Sequence, residues 1–176
     1  MKMNIHELAK RLKEVALLSG DFVLSSGRRS AYYIDKYRIE TQPSILRAVA
    51  EGLAGKIPVG VNLLAGMELG AIPLVTAVSL KTGIPFLIVR KSAKEYGTKK
   101  AVEGIWNAGQ SVVLIEDVIT TGTQAITAAD SLREIGLVVV EIICMIDREE
   151  GAREAVESAG YVFNPLLTRS MIISDE

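Results

Sequence analysis

Four short apolar runs recur along the chain, at residues 59–64, 85–89, 112–115 and 138–146, each too continuous to alternate between a wet and a dry face. A strand of that kind must be covered on both sides, the condition of a parallel sheet sandwiched between helices. The intervening segments supply helices: 72–81 after a glycine-bearing turn, 123–135 after a Thr/Gly loop, and 152–159 before a short strand at 161–163. This alternation specifies the α/β class, a doubly wound, mainly parallel sheet with helices on both faces. A length of 176 residues suits one such domain. Residues 1–176 are therefore expected to form a single domain, with 41–176 as its core and 1–40 as an N-terminal helix and small hood.

The hood segment opens on Asn4, a helix cap with Glu7 three residues later in the capping-box position. Ile5, Leu8, Leu12 and Val15 follow at helical spacing, and Gly20 is the expected stop. Ser25-Ser26-Gly27 reads as a turn and Tyr32-Tyr33-Ile34 as a strand. Pro43 opens a second helix with Ile45, Leu46, Val49 and Leu53 on one face. There is no internal repeat, low-complexity tract or interdomain linker.

Composition removes several function classes. Twenty basic residues against 21 acidic ones leave a net charge of −1, which argues against holding nucleic acid by bulk charge. One Cys and one His exclude a disulfide framework and a Cys/His zinc site. Aromatic residues at 5% are too few for a base-stacking platform. The longest apolar run, residues 137–146, contains Glu141 and falls well short of the roughly 20 residues a membrane span needs. The N-terminus lacks the apolar block of a signal peptide, so a cytoplasmic protein without membrane or nucleic-acid partners is expected. Cys144, inside an apolar run, is expected to be a packing residue and His6 an exposed one.

The chemistry concentrates in Val112-Val113-Leu114-Ile115-Glu116-Asp117-Val118-Ile119-Thr120-Thr121-Gly122-Thr123. Here an apolar strand ends in two adjacent carboxylates, and a Thr/Gly loop opens the next helix. In open α/β sheets ligands sit beyond the carboxyl ends of strands, where this loop falls. Hydroxyls, loop amides and a helix N-terminus suit a phosphate. Two carboxylates beside a phosphate repel it unless they hold something else, such as ribose hydroxyls or a magnesium-bound water. Phosphate and diol together imply a phosphorylated ribose; the plain alternative is a helix cap beside two solvated acids. No Walker lysine is present, so an ordinary P-loop ATPase does not fit.

The run from Glu116 to Thr123 resembles the phosphoribosyl-pyrophosphate (PRPP) motif of the type I phosphoribosyltransferase family. Four further segments narrow the likeness to its orotate phosphoribosyltransferases: Leu24-Ser25-Ser26-Gly27-Arg28, Tyr32-Tyr33-Ile34-Asp35, Arg90-Lys91-Ser92-Ala93-Lys94-Glu95-Tyr96-Gly97 and Ile146-Asp147-Arg148-Glu149-Glu150-Gly151. They follow the family's order and cover residues 22–151.

The resemblance implies that Glu116 and Asp117 hold the ribose hydroxyls, while Val118, Ile119 and the loop Thr120, Thr121, Gly122, Thr123 and Gln124 cradle the 5′-phosphate. The turn from Gly66 to Gly70 would face pyrophosphate, with Mg²⁺ bridged mainly by substrate and reaching Glu116 and Asp117 through water. Some family members carry a Lys in that turn, where this chain has Met67-Glu68-Leu69-Gly70. Arg90, Lys91, Lys94 and Tyr96 fall in the family's catalytic loop, with Lys94 the main catalytic cation; the plain alternative is a solvated basic loop. Tyr96 stands where the family often has His, and Ser25 where several members have Lys. Arg148 would pair with the orotate carboxylate, assisted by Thr120 and walled by Tyr33 and Ile34. Its alternatives are an ion pair with Asp147 or Glu149, and a Tyr-Tyr-Ile strand that is simply core. The resemblance also implies a homodimer that shares the 90–104 loop across subunits. Two rivals stand beside this: a phosphoribosyltransferase for another base, which has no carboxylate for Arg148, and a PRPP-sensing regulator without catalysis. The latter needs a DNA-binding module, and the one helix ahead of Phe22 leaves no room for a helix-turn-helix.

Overall fold

A computed structural model describes residues 3–23, 27, 29–91 and 101–173. Helix α1 (Ile5–Ala16) opens with the expected capping box: Asn4 Oδ1 accepts from the Glu7 amide and Glu7 Oε2 from the Asn4 amide, both at 2.9 Å. It stops four residues short of Gly20. Leu17 starts β1 (Leu17–Val23), which pairs antiparallel with β2 (Arg29–Ile34), Leu17 opposite Ile34 and Leu18 opposite Tyr33. Those cross-strand partners, invisible to a local pattern, outweigh helical continuation. The chain then makes α2 (Tyr37–Glu40) and α3 (Pro43–Ala54), the latter burying Ile45, Val49, Ala50 and Leu53.

The main sheet contains β3 (Leu63–Met67), β4 (Phe86–Val89), β5 (Val102–Glu103), β6 (Ser111–Ile119), β7 (Val138–Asp147) and β8 (Phe163–Thr168). Helices α4 (Ala71–Thr82), α5 (Thr123–Glu134) and α6 (Ala152–Ser158) lie between strands, and α7 (Arg169–Ile172) follows β8. Strand order is β5-β4-β3-β6-β7-β8, parallel throughout except for the short antiparallel edge β5. Both faces are covered. Leu64, Val113, Ile115, Ile143 and Met145 join α1, α3 and α4 in one apolar cluster, while Leu63, Ala65, Val112, Leu114, Ile142 and Cys144 join α5 and α6 in the other. That two-sided burial is why the strands read as unbroken Val/Ile/Leu runs.

Two strand expectations shift. The first core strand occupies 63–67 rather than 59–64: Gly60, at φ +86°, turns the chain and leaves Val59 fully exposed. Asn62 then clips the strand starts, its Oδ1 accepting from the Ser111 amide and hydroxyl at 2.9 Å each. The last strand occupies Phe163–Thr168 rather than 161–163, because it pairs with β7 from Ile142 to Asp147; at this sheet edge Pro165 is tolerated despite having no amide hydrogen to donate.

The order reverses at β3 and β6. After β3 the chain adds strands on one side, and from β6 it adds them on the other. This is the topological switch point, and the carboxyl ends of β3 and β6 open there together.

Candidate active site

Strand β6 does not end at the acids. It continues through Glu116 and Asp117 to Ile119, with Glu116 opposite Cys144 and Ile119 opposite Asp147. Both carboxylates are consequently buried, each residue 5% exposed, which contradicts a pair of solvated acids. Glu116 Oε1 has no hydrogen-bond partner, and burial first, then the neighbouring Asp117 charge, pushes its pKa up to about 8. Asp117 is better held: its Oδ1 accepts from the Val118 amide and its Oδ2 pairs with the Lys36 ammonium.

Thr120 and Thr121 are exposed in the loop that follows, and Gly122 takes φ +83° to turn the chain into α5. The positive φ demands glycine, and space is tight as well: an added Cβ at Gly122 would lie 3.0 Å from Val156 Cγ2. Thr121 and Thr123 hydroxyls stand 3.2 Å apart, and Thr123 and Gln124 are exposed on the first turn of α5. The loop thus presents hydroxyls at the N-terminus of a 12-residue helix.

Across the switch point, the turn after β3 is tied to the end of β4. The Glu68 amide donates to Val89 O at 2.9 Å, and the Glu68 carboxylate accepts from the Lys91 amide at 3.0 Å and faces Arg90 Nη1 at 3.6 Å. Arg90 is half-buried, with its Nε lacking a partner; Lys91 is exposed. Gly70 ends this turn, and a Cβ built on it would stand 1.5 Å from Asp117 Oδ2 and 2.6 Å from Lys36 Nζ. The β3 turn, the end of β6 and the entry to α2 therefore converge within van der Waals contact.

On the other side of β6, the Arg148 amide donates to Ile119 O at 2.9 Å. The Arg148 side chain is buried, with Nη2 at 3.0 Å from Glu150 Oε1 and Nε unpartnered. Its ion-pair partner is thus Glu150, rather than Asp147 or Glu149. Asp147 accepts from the Glu149 amide at 2.8 Å, and the Glu149 carboxylate accepts from the Ser170 amide and hydroxyl at 2.9 and 2.7 Å.

The sequence-derived residues separate into three groups. Glu116, Asp117, the 120–124 loop and Arg148 line consecutive stretches at one end of the sheet, with Val118 half-buried and Ile119 in the core. Tyr33 and Ile34 do not form a wall together: Ile34 is 5% exposed inside the first core cluster, and the exposed Tyr33 ring packs against Phe22 with centroids 5.6 Å apart. The ring facing Arg148 is Tyr32, its centroid 6.0 Å from the guanidinium carbon. Lys94, Tyr96 and Ser25 lie outside the described residues. Lys36 and Glu40 were not singled out by the sequence, because Lys36 and Asp117 meet across 81 residues of chain.

No group of three or more His, Cys, Asp or Glu side chains converges on a metal position among the described residues. The donors present, Glu116 with an orphaned buried oxygen and Asp117, suit a hard cation that takes most of its ligands from phosphate oxygens and water.

Residues 37–171 match the family model described as the phosphoribosyl transferase domain. The orotate phosphoribosyltransferase of Methanocella arvoryzae is 47% identical over 168 residues, covering 95% of this chain and 96% of that protein. The chain belongs to the orotate phosphoribosyltransferases. Solved members of this family share its fold. The orotate phosphoribosyltransferase of Aeropyrum pernix superposes with a TM-score of 0.84 at 34% identity, over 95% of this chain and 96% of that one. The Mycobacterium tuberculosis orotate phosphoribosyltransferase, solved in complex with PRPP, gives 0.81 at 29% identity, over 96% and 98%. The expected doubly wound α/β fold is the family's own architecture.

Proposed function

We propose that the chain transfers the phosphoribosyl group of PRPP to N1 of orotate, giving orotidine 5′-monophosphate and pyrophosphate, a step of UMP synthesis. The observation that carries this reading is the buried Glu116–Asp117 pair on β6, followed directly by the hydroxyl-lined entry to α5 and flanked by the buried Arg148. In the proposed pose the 5′-phosphate occupies the 120–124 loop and Asp117 and Glu116 accept from the ribose hydroxyls. The turn from Gly66 to Gly70 faces pyrophosphate, and Arg148 with Thr120 receives the orotate carboxylate. Mg²⁺ belongs to the same reading: Glu116 and Asp117 would hold it through water, and it would supply positive charge against that of the pyrophosphate leaving group.

Orotate N1 is acidic enough to need no strong general base. Catalysis then rests on holding N1 in line with C1 of an oxocarbenium-like ribose, on stabilising the departing pyrophosphate and on excluding water. Arg90, Lys91 and above all Lys94 supply cations to that leaving group, with Tyr96 as a hydrogen-bond donor. The reading includes a single domain spanning residues 1–176, a homodimer sharing the 90–104 loop and a cytoplasmic setting.

The test is to mix the protein with PRPP, Mg²⁺ and a panel of bases while following ultraviolet absorbance and pyrophosphate release. Consumption of orotate alone supports the reading; turnover of a purine or uracil, or of nothing, overturns it. Lys94→Ala should bind PRPP almost normally and lose most turnover, and near-normal turnover would remove Lys94 from the leaving-group role. Sharing of the loop predicts that inactive Lys94→Ala and Asp117→Asn proteins regain activity when mixed.

A further inference from the structure

The turn that faces pyrophosphate in this pose reads Met67-Glu68-Leu69-Gly70, and its one charged side chain is an acid already engaged by Arg90 and the Lys91 amide. A polyanionic leaving group beside a carboxylate requires a cation from elsewhere. The structure places one there. Lys36, at the entry to α2, reaches across to Asp117 with its ammonium packed against Gly70 at the end of that turn. Its side chain is 28% exposed, so it is not sealed into the core. Burial works against its charge, but the bond to Asp117 and the charges of Asp117 and Glu40 outweigh it, and its pKa is raised. The ring of Tyr37 lies 5.4 Å from the ammonium and, after Asp117, also favours its charged form.

We propose that Lys36 is a pyrophosphate-binding residue, supplying through space the cation that the β3–α4 turn lacks in its own sequence. The inference rests on the PRPP reading of the site. An ammonium has three N–H donors. One bonds Asp117, which fixes the side chain before substrate arrives, and another meets a pyrophosphate oxygen above Gly70. Lys36 thereby links the acid that holds ribose to the group that leaves it. Gly70 is a glycine because this pair occupies the space a side chain would fill.

A role confined to neutralising Asp117 predicts a different pattern, so two probes separate the cases. Calorimetric titration of Lys36→Met with magnesium pyrophosphate should show binding about tenfold or more weaker than wild type, the effect of a lost charge-assisted hydrogen bond. Ribose 5-phosphate, which has no pyrophosphate, should bind within about threefold of wild type. Equal losses on both probes, or unchanged pyrophosphate binding, overturn the proposal. Because Lys36→Met strands a buried carboxylate, the same comparison is made on Asp117→Asn. Adding Lys36→Met to that background should still weaken magnesium pyrophosphate about tenfold, and no further loss there also overturns it. The orotate assay on wild type tests the underlying reading separately: a protein that binds pyrophosphate through Lys36 yet consumes no orotate refutes the activity, not the contact.

Discussion

Gly70 is where a single methyl group does the most damage. Its φ of −63° is available to any residue, so the constraint is space alone. A Cβ 1.5 Å from Asp117 Oδ2 forces apart the Lys36–Asp117 pair and the turn that packs on it. Gly70→Ala should cost about 1–3 kcal/mol of stability by overpacking. Its larger effect should fall on PRPP, with kcat/KM reduced about tenfold or more as Asp117 leaves its position. Denaturant midpoints and PRPP saturation curves check both, and an alanine variant with an unchanged PRPP KM contradicts the arrangement. Arg148 gives the complementary case. Losing a charge-assisted pair worth about 1.5–3 kcal/mol, Arg148→Ala should raise the orotate KM about tenfold to a hundredfold and leave the PRPP KM nearly unchanged. At this scale the sequence discloses Glu116, Asp117 and Arg148, because each sits in a run whose chemistry is local. It conceals Lys36 and Tyr32, whose partners lie 81 and 116 positions away, since contacts closed by the fold leave no trace in spacing.

Among the elements, the strands were legible where two-sided burial dictates composition and obscure where a pairing partner does. Val112 to Ile115 announces β6, yet nothing local says that the strand carries its acids four residues deeper, to Ile119; pairing with β7 does that. The short α7 is equally silent in the sequence, and it matters to the site. Glu149 adopts φ +56°, a strained conformation for a residue with a Cβ. Its carboxylate holds the Ser170 amide and hydroxyl and faces Arg169 Nε at 3.7 Å, while Arg169 Nη1 donates to the Tyr32 hydroxyl at 3.4 Å. The helix thus latches the segment that carries Arg148 and steadies the ring opposite it. Glu149→Ala removes that latch. The expected result is an orotate KM about threefold to tenfold higher with kcat within about twofold, consistent with loosened positioning rather than lost chemistry. An altered kcat at constant orotate KM would assign α7 some other part.

For the whole molecule, a net charge of −1 conceals strong segregation: five basic residues and one acid lie between Arg90 and Lys100, while acids gather at the switch point. There Asp117 and Glu116 are joined by Glu40, 4% exposed on α2 with neither carboxylate oxygen partnered. Burial first, and then the charge of Asp117, push the Glu40 pKa from an ordinary 4.5 up to about 8, with Lys36 opposing and Asp35 adding to the rise. The consequence for stability has a definite sign. Between those two values the folded chain keeps a proton that the unfolded chain has released, so unfolding is favoured progressively as pH rises. Below the lower value both states are protonated and above the upper one both are ionised, and this contribution is flat. Glu116, also raised to about 8, contributes in the same direction. Glu40→Gln carries no proton to lose in either state. Its thermal midpoint should fall less than that of wild type between about pH 5 and about pH 8, the two curves converging toward the acid end apart from a constant offset. For a chain of this size each kcal/mol of the difference corresponds to about 2–4 °C. Scanning calorimetry of both proteins in the absence of substrate measures it. Parallel curves across that range would mean that Glu40 is ionised in the folded state, and that the acids of the switch point are balanced by cations rather than by protons.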